Sequence, residues 1–315
     1  MFMEGRRTTW HLIIIAIGLI VFAYLLTLFI PERATSVDEP TYSFNLPEIP
    51  ETLPPYPQVD TDPSKAPINT LAAVLIDSES GNVVYQKNAD TAVPIASTTK
   101  LMTALVVREK LNLDQVVEIT SEHTSVIGSD MGLRPGEKLT VRDLLTGLLV
   151  ASGNDAAWAL AETASGSRDT FVAAMNAKAT EIGLSATNFA DPAGLETESK
   201  STAFELGVIA RMALQDEFIA NVVRLPEVRL VSTNGLVAHD LKNSNRLVNE
   251  FNYLGAIGLK TGYTPEAGHC LVAGAERDGH QLIAVILHTT EDTITASAVE
   301  ARKLLDWGWA NITWN

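Results

Sequence analysis

The order in which apolar patterns recur along the 315 residues constrains the fold more than any other feature. An apolar run at 71–77 turns through 78–81 and returns at 82–87, which reads as a pair of strands. Helical patterns then follow one another, from Ser97 onward and at 140–150, 155–165, 169–183 and 202–215. Short strands are expected at 228–232 and 236–241, and longer ones at 256–260, 268–276 and 281–288. Asp278-Gly279 joins the last two as a tight hairpin turn. A helix over about 293–310 follows. Strands, a block of helices, strands again and a helix predict an α+β fold. The expected architecture is an antiparallel sheet flanked by helices plus a helical subregion, not a doubly wound parallel sheet.

The chain divides before that body begins. Residues 1–9 are short and carry Arg6 and Arg7, and residues 10–30 hold no carboxylate, lysine or arginine. A helix of 21 residues spans about 30 Å, the thickness of a bilayer core. Trp10 sits where an interfacial aromatic belongs, and the two arginines before it orient the N-terminus to the cytoplasm. The expectation is one transmembrane helix acting as an uncleaved signal anchor at the cell membrane, with the rest extracytoplasmic. A cleaved secretory signal is the rival, and it exports the same residues. Residues 31–66 hold eight of the fourteen prolines with seven acidic and two basic residues. That composition reads as a disordered Pro-rich, acidic linker. The folded body is expected at 67–315.

Charge and composition remove several classes of function. A net charge of −15 leaves little to neutralise phosphates, so no nucleic acid is expected as a partner. The single cysteine, Cys270, excludes an intramolecular disulfide and a thiolate cluster. The six histidines are scattered without metal-ligand spacing, so neither metal nor cofactor is expected.

Three short motifs carry the chemistry. Ser97 and Lys100 lie three residues apart in a helical stretch entered through Pro94, so their side chains share a face. That is the geometry of a nucleophile and its base. A helix start also offers unpaired backbone N–H groups and a positive dipole end, which suit an oxyanion. The pair equally suits a solvated Ser and Lys on an ordinary helix. Ser152 and Asn154 stand in a loop between two helical runs, either aimed into one cleft or capping a helix. Lys260-Thr261-Gly262 closes a strand. Its glycine permits close approach of a backbone or ligand, and its cationic end suits an extended peptide ending in a carboxylate. A plain strand terminus with a solvated lysine is the alternative. Cys270 reads as core, His269 as structural for want of a partner carboxylate in the sequence, and Asp155 as a helix N-terminal charge.

Ser-x-x-Lys, Ser-x-Asn and Lys-Thr-Gly occur in the order found in penicillin-recognising serine enzymes, with Gly153 where the usual second motif has Asp. From about Thr70 to about Thr290 the chain resembles the serine-type D-alanyl-D-alanine carboxypeptidases, the low-molecular-weight penicillin-binding proteins. Residues 129–136, 140–145, 191–195, 201–203 and 260–268 carry the likeness beyond the motifs. The resemblance implies a β-lactamase/transpeptidase-like fold. It implies that Ser97 attacks the penultimate D-Ala carbonyl of a peptidoglycan stem peptide and that Lys100 takes its proton. Ser152 would relay the proton to the leaving amine, and Asn154 would hold the substrate amide. Lys260 and Thr261 would bind the terminal carboxylate, beside Gly262, and the N–H groups of Ser97 and Tyr263 would form the oxyanion hole. β-Lactams would be inhibitors that acylate Ser97. Many relatives carry a cleaved signal, a β-rich second domain and a C-terminal amphipathic anchor, whereas here the apolar segment is N-terminal. Three rival readings share these residues: a peptidoglycan DD-endopeptidase, a class A-like β-lactamase and an inactive wall-binding module. The lactamase needs a water-activating glutamate, for which only Glu217 of Glu217-x-x-x-Asn221 offers itself, and that match reads as coincidence. The presence of every motif residue argues against the inactive module.

Overall fold

The computed structural model describes residues 56–60, 62 and 66–314. The expected transmembrane helix at 10–30 and most of the expected linker lie outside the described residues. No helix among the described residues is long and apolar enough to cross a membrane.

The strands are β1 Pro57–Val59, β2 Thr70–Asp77, β3 Val83–Lys87, β4 Val93–Pro94, β5 Val116–Glu118, β6 Lys138–Thr140 and β7 Lys200–Ser201. They continue with β8 Glu227–Val231, β9 Ala238–Lys242, β10 Ala256–Thr264, β11 Gly268–Arg277, β12 His280–Thr289 and β13 Ile312–Trp314. The helices are α1 Lys100–Lys110, α2 Val141–Val150, α3 Asn154–Ser165, α4 Arg168–Glu181, α5 Ala203–Gln215, α6 Glu217–Val223, α7 Arg246–Asn249 and α8 Ala296–Asn311. A single 3-10 turn, Ala96–Thr99, precedes α1.

Five strands form the central sheet in the order β10-β11-β12-β2-β3, every neighbour antiparallel. Side chains alternate between its faces, as strand geometry requires. Ala72, Val74 and Ile76 of β2 join Ile283, Val285 and Leu287 of β12 in the core shared with the helical body. Ala73 and Leu75 join Leu282, Ala284 and Ile286 in a second core under α8, which contributes Ala301, Leu304, Leu305 and Trp307. Burial on both faces explains why residues 72–76 read as one unbroken apolar run rather than an alternating one. The helical body rests on α1, which is buried from Leu101 to Val107 and apolar there except for Thr103. α2 opens with a capping box in which Thr140 and Asp143 satisfy each other's backbone N–H groups.

The α+β expectation of an antiparallel sheet with helices therefore holds, with four differences in detail. Ser97 belongs to the 3-10 turn and not to the α-helix, because Ala96 before it has φ +47° and breaks helical continuity. The strand carrying Lys260 does not end at Gly262 but runs to Thr264, paired with β11 throughout. Pro57–Val59 lies inside the stretch read as a linker yet pairs with Ile312–Trp314, so the ordered body takes in residues before 67. The sequence reading also missed the four-residue α7 and the two-stranded pairs β4–β7 and β5–β6, whose members are two or three residues long.

Leu75 is fully buried against α8, and Leu236 is 81% exposed. Leu75→Ala is expected to lower stability by about 2–5 kcal/mol in urea denaturation, and Leu236→Ala by less than about 0.5 kcal/mol.

Candidate active site

A cleft of about 590 Å³ opens between the 3-10 turn, the loop before α3 and the outer strand β10. Ser97, Ser152, Asn154, Thr261, Gly262 and Tyr263 all line it. Lys100 and Lys260, the remaining two residues expected at the site, are fully buried behind that lining.

The position of Ser97 is imposed from both sides. Ala96 adopts a left-handed conformation that an L-residue takes at a cost of roughly 1 kcal/mol. Gly194, with φ +77°, presses against it: a Cβ there would lie 1.9 Å from the Ala96 carbonyl oxygen. On the other side Gly262 of β10 approaches so closely that an added Cβ would fall 3.1 Å from the Ser97 nitrogen. Glycine at 194 and 262 thus lets two backbones clamp the turn that presents Ser97.

Lys100 Nζ donates hydrogen bonds to Ser97 Oγ at 2.8 Å, Asn154 Oδ1 at 2.7 Å and the Ala193 carbonyl at 2.7 Å. An ammonium has three donors, and all three are used. Loss of one proton leaves a lone pair that accepts the Ser97 hydroxyl. Burial favours that neutral form and brings the Lys100 pKa down to about 7, against the opposing pull of Asp191 and Asp155. The amine is therefore both in contact with the hydroxyl and available as a base at neutral pH.

Asn154 is the first residue of α3, and its amide is fixed in plane: Nδ2 donates to the Ile127 carbonyl at 2.6 Å while Oδ1 accepts from Lys100. Ser152 has φ +62°, the second strained residue at the cleft, and its Oγ has no hydrogen-bond partner among the described residues. Gly153 between them packs tightly, since a Cβ there would lie 2.8 Å from Asp155 Oδ1. An aspartate at this position, as in the usual motif, would have to displace Asp155.

Lys260 departs from the solvated strand end that its motif also allowed. It is fully buried, its Nζ donates to the Thr261 carbonyl at 3.0 Å, and burial followed by the charge of Lys100 holds its pKa well below the usual lysine range. Thr261 Oγ1 faces the cleft and donates to Ser244 Oγ at 2.7 Å.

Sequence reasoning missed Ser129, Ser244, Arg246, Ile294 and Ser297, which also line the cleft. Ser129 opens the 129–136 stretch that carries the family likeness, so a signal for it exists in the sequence. Ser244 and Arg246 arrive through the β8–β9 hairpin, a placement no local pattern announces. His269, read as lacking a carboxylate partner, meets one through the fold: its Nε2 is 3.2 Å from Asp292 Oδ1, and its ring stacks on Tyr263 at 4.4 Å. Cys270 is buried as expected, and burial pushes its thiol up to about 12. Glu217 is exposed at the start of α6 and does not line the cleft.

Comparison with known proteins agrees with this geometry. Residues 59–291 match the family model described as D-alanyl-D-alanine carboxypeptidase. The chain is 39% identical over 245 residues to the D-alanyl-D-alanine carboxypeptidase DacF of Bacillus subtilis, a match covering 76% of this chain and 62% of that protein. It is 36% identical over 241 residues to a D-alanyl-D-alanine endopeptidase of Pseudomonas aeruginosa, covering 75% and 77% of the two chains. The crystal structure of the Streptomyces K15 DD-transpeptidase superposes with a TM-score of 0.72 at 35% identity, covering 77% of this chain and 98% of that one. The protein belongs to the serine-type D-alanyl-D-alanine carboxypeptidase family, a family of peptide hydrolases.

If the neutral amine activates Ser97, labelling of Ser97 by an activated ester rises with pH through a midpoint of about 7. Lys100→Arg retains the charge but cannot release a proton, and is expected to cut labelling by roughly 10²–10⁴-fold on the plateau above that midpoint and to abolish the rise with pH, read by mass spectrometry.

Proposed function

We propose that the protein removes the terminal D-Ala from peptidoglycan stem peptides through an acyl-enzyme on Ser97, working outside the cytoplasm from a membrane anchor at residues 10–30. The observation that carries the reading is the 2.8 Å contact between Ser97 Oγ and a fully buried Lys100 amine. A reactive hydroxyl at the floor of an open cleft serves acyl transfer, and family membership supplies the acyl donor.

The residues divide the work. Neutral Lys100 accepts the Ser97 proton as Oγ attacks the penultimate carbonyl, and the N–H groups of Ser97 and Tyr263 receive the oxyanion. Ser152, whose Oγ is uncommitted, passes the proton to the departing D-Ala nitrogen. Asn154 holds the peptide's amide. The terminal carboxylate docks at Thr261 beside Gly262, and its charge restores the ammonium form of Lys260 behind it. Water then attacks the acyl carbonyl and releases the shortened peptide. β-Lactams enter the same route, since their ring amide presents the same carbonyl next to a carboxylate.

Among the described residues no Asp or Glu lines the cleft, which disfavours a lactamase that turns over β-lactams with a glutamate-activated water. The endopeptidase reading keeps a specific support, because a relative so named is 36% identical. Acceptance of a cross-linked peptide separates the two.

The full chain in detergent is expected to release D-Ala from peptides ending in D-Ala-D-Ala and to carry a penicillin adduct on Ser97. Ser97→Ala should abolish both. Lys260→Ala should raise KM for the peptide about tenfold or more with a smaller effect on kcat, as expected when the buried charge behind the carboxylate is lost. Rapid penicillin hydrolysis without an adduct would overturn the proposal, and release only from cross-linked dimers would reassign it as an endopeptidase.

A further inference from the structure

Two carboxylates beside the catalytic amine have no part in the scheme above. Asp191 uses both oxygens on one turn: Oδ1 accepts from the N–H groups of Ala193 and Gly194 at 2.7 Å each, and Oδ2 accepts from Glu196 N at 2.9 Å. That turn delivers the Ala193 carbonyl to Lys100 Nζ and presses Gly194 onto Ala96, the residue before the nucleophile. Asp155 does the same on the opposite side. It is buried, and it accepts from Met131 N and Leu133 N at 3.0 Å each and from Ala156 N at 2.8 Å. The loop so held gives its Ile127 carbonyl to Asn154 Nδ2 and its Ser129 carbonyl to Asn154 N. Those bonds turn Asn154 Oδ1 toward Lys100.

We propose that Asp155 and Asp191 are positioning residues for acylation: each anchors, through backbone N–H groups, a loop that delivers one acceptor to Lys100 Nζ, and each places negative charge beside that amine. The inference rests on the reading of Ser97 and Lys100 given above. Asp155 on α3, Asp191 on its turn and Lys260 on β10 are the charged groups that face Lys100. The two carboxylates oppose burial and keep the amine basic enough to accept a proton, while the same hydrogen bonds keep it in place. A side chain serving only as a helix N-terminal charge or a turn former would affect stability without altering the titration of the base.

The test is the rate of penicillin acylation of Ser97 in the full chain in detergent, followed from about pH 5 to about pH 9. Asp191→Asn and Asp155→Asn keep the shape and remove the charge. Each is expected to move the rising limb of the profile to lower pH by roughly one unit. Each should also lower the plateau about tenfold as the amine loses its fixed position. Asp191→Glu keeps the charge on a longer arm, and is expected to hold the wild-type midpoint with a reduced plateau. Folded Asn variants with the wild-type midpoint would overturn the proposal. If neither Asn variant folds, Asp191→Glu decides, and a wild-type plateau would overturn it. A wild-type chain that is not acylated at any pH would instead contradict the reading of Ser97 and Lys100 itself.

Discussion

The desolvation of one lysine amine governs the site. Removing Lys100 from water makes its charged form costly, and a lysine that holds its proton less tightly can take one from a hydroxyl. Burial alone would leave a floppy, poorly placed base. Three acceptors fixed by three separate parts of the chain, the Ser97 hydroxyl, the Asn154 amide and the Ala193 carbonyl, hold it in one place. The fold has to bring those parts together around an amine that none of them could enclose alone.

The sheet and helices accomplish this by position rather than by flexibility. Strand β10 forms the outer edge of the five-stranded sheet and lays Gly262 against the turn that bears Ser97. Helix α1 continues from that turn into the helical core, so Lys100 begins a rigid helix. The start of α3 supplies Asn154. Two non-glycine residues with left-handed backbone, Ala96 and Ser152, lie at the cleft and were the least to be expected on conformational grounds. Each costs roughly 1 kcal/mol, and each points a hydroxyl, its own or its neighbour's, into the cleft. Strain of that kind persists where surrounding contacts over-determine it, as Gly194 and Gly262 do around the 3-10 turn.

The chemistry was legible in the sequence because it is written in local spacing. Ser97 with Lys100, Ser152 with Asn154 and Lys260 with Thr261 are each near neighbours along the chain, and the central strands are long enough to show apolar runs. What escaped depends on contacts between distant segments. The pairing of Pro57–Val59 with Ile312–Trp314 joins parts of the chain some 250 residues apart, through three-residue strands, one of them in Pro-rich sequence. The 3-10 turn replaced an α-helical start because Gly194, nearly a hundred residues away, backs a conformation that Ala96 would not choose alone. Ser244 and the Ala193 carbonyl carry no signature, since a serine in a loop and a backbone oxygen are everywhere. The full burial of Lys260 was hidden for a different reason: its motif reports a cationic strand end and says nothing about how deeply that end is enclosed.

The central claim is that the Lys100 amine is neutral over much of the neutral pH range in the folded protein. Nuclear magnetic resonance titration of the lysine side-chain ε-carbon and ζ-nitrogen, with Lys100 assigned by its absence in Lys100→Arg, measures this without reference to any substrate. A base made neutral by burial titrates with a Lys100 midpoint of about 7. A midpoint near the unperturbed lysine value of 10.5 would mean that the amine stays charged beside Ser97, and the assignment of Lys100 as the base would be wrong.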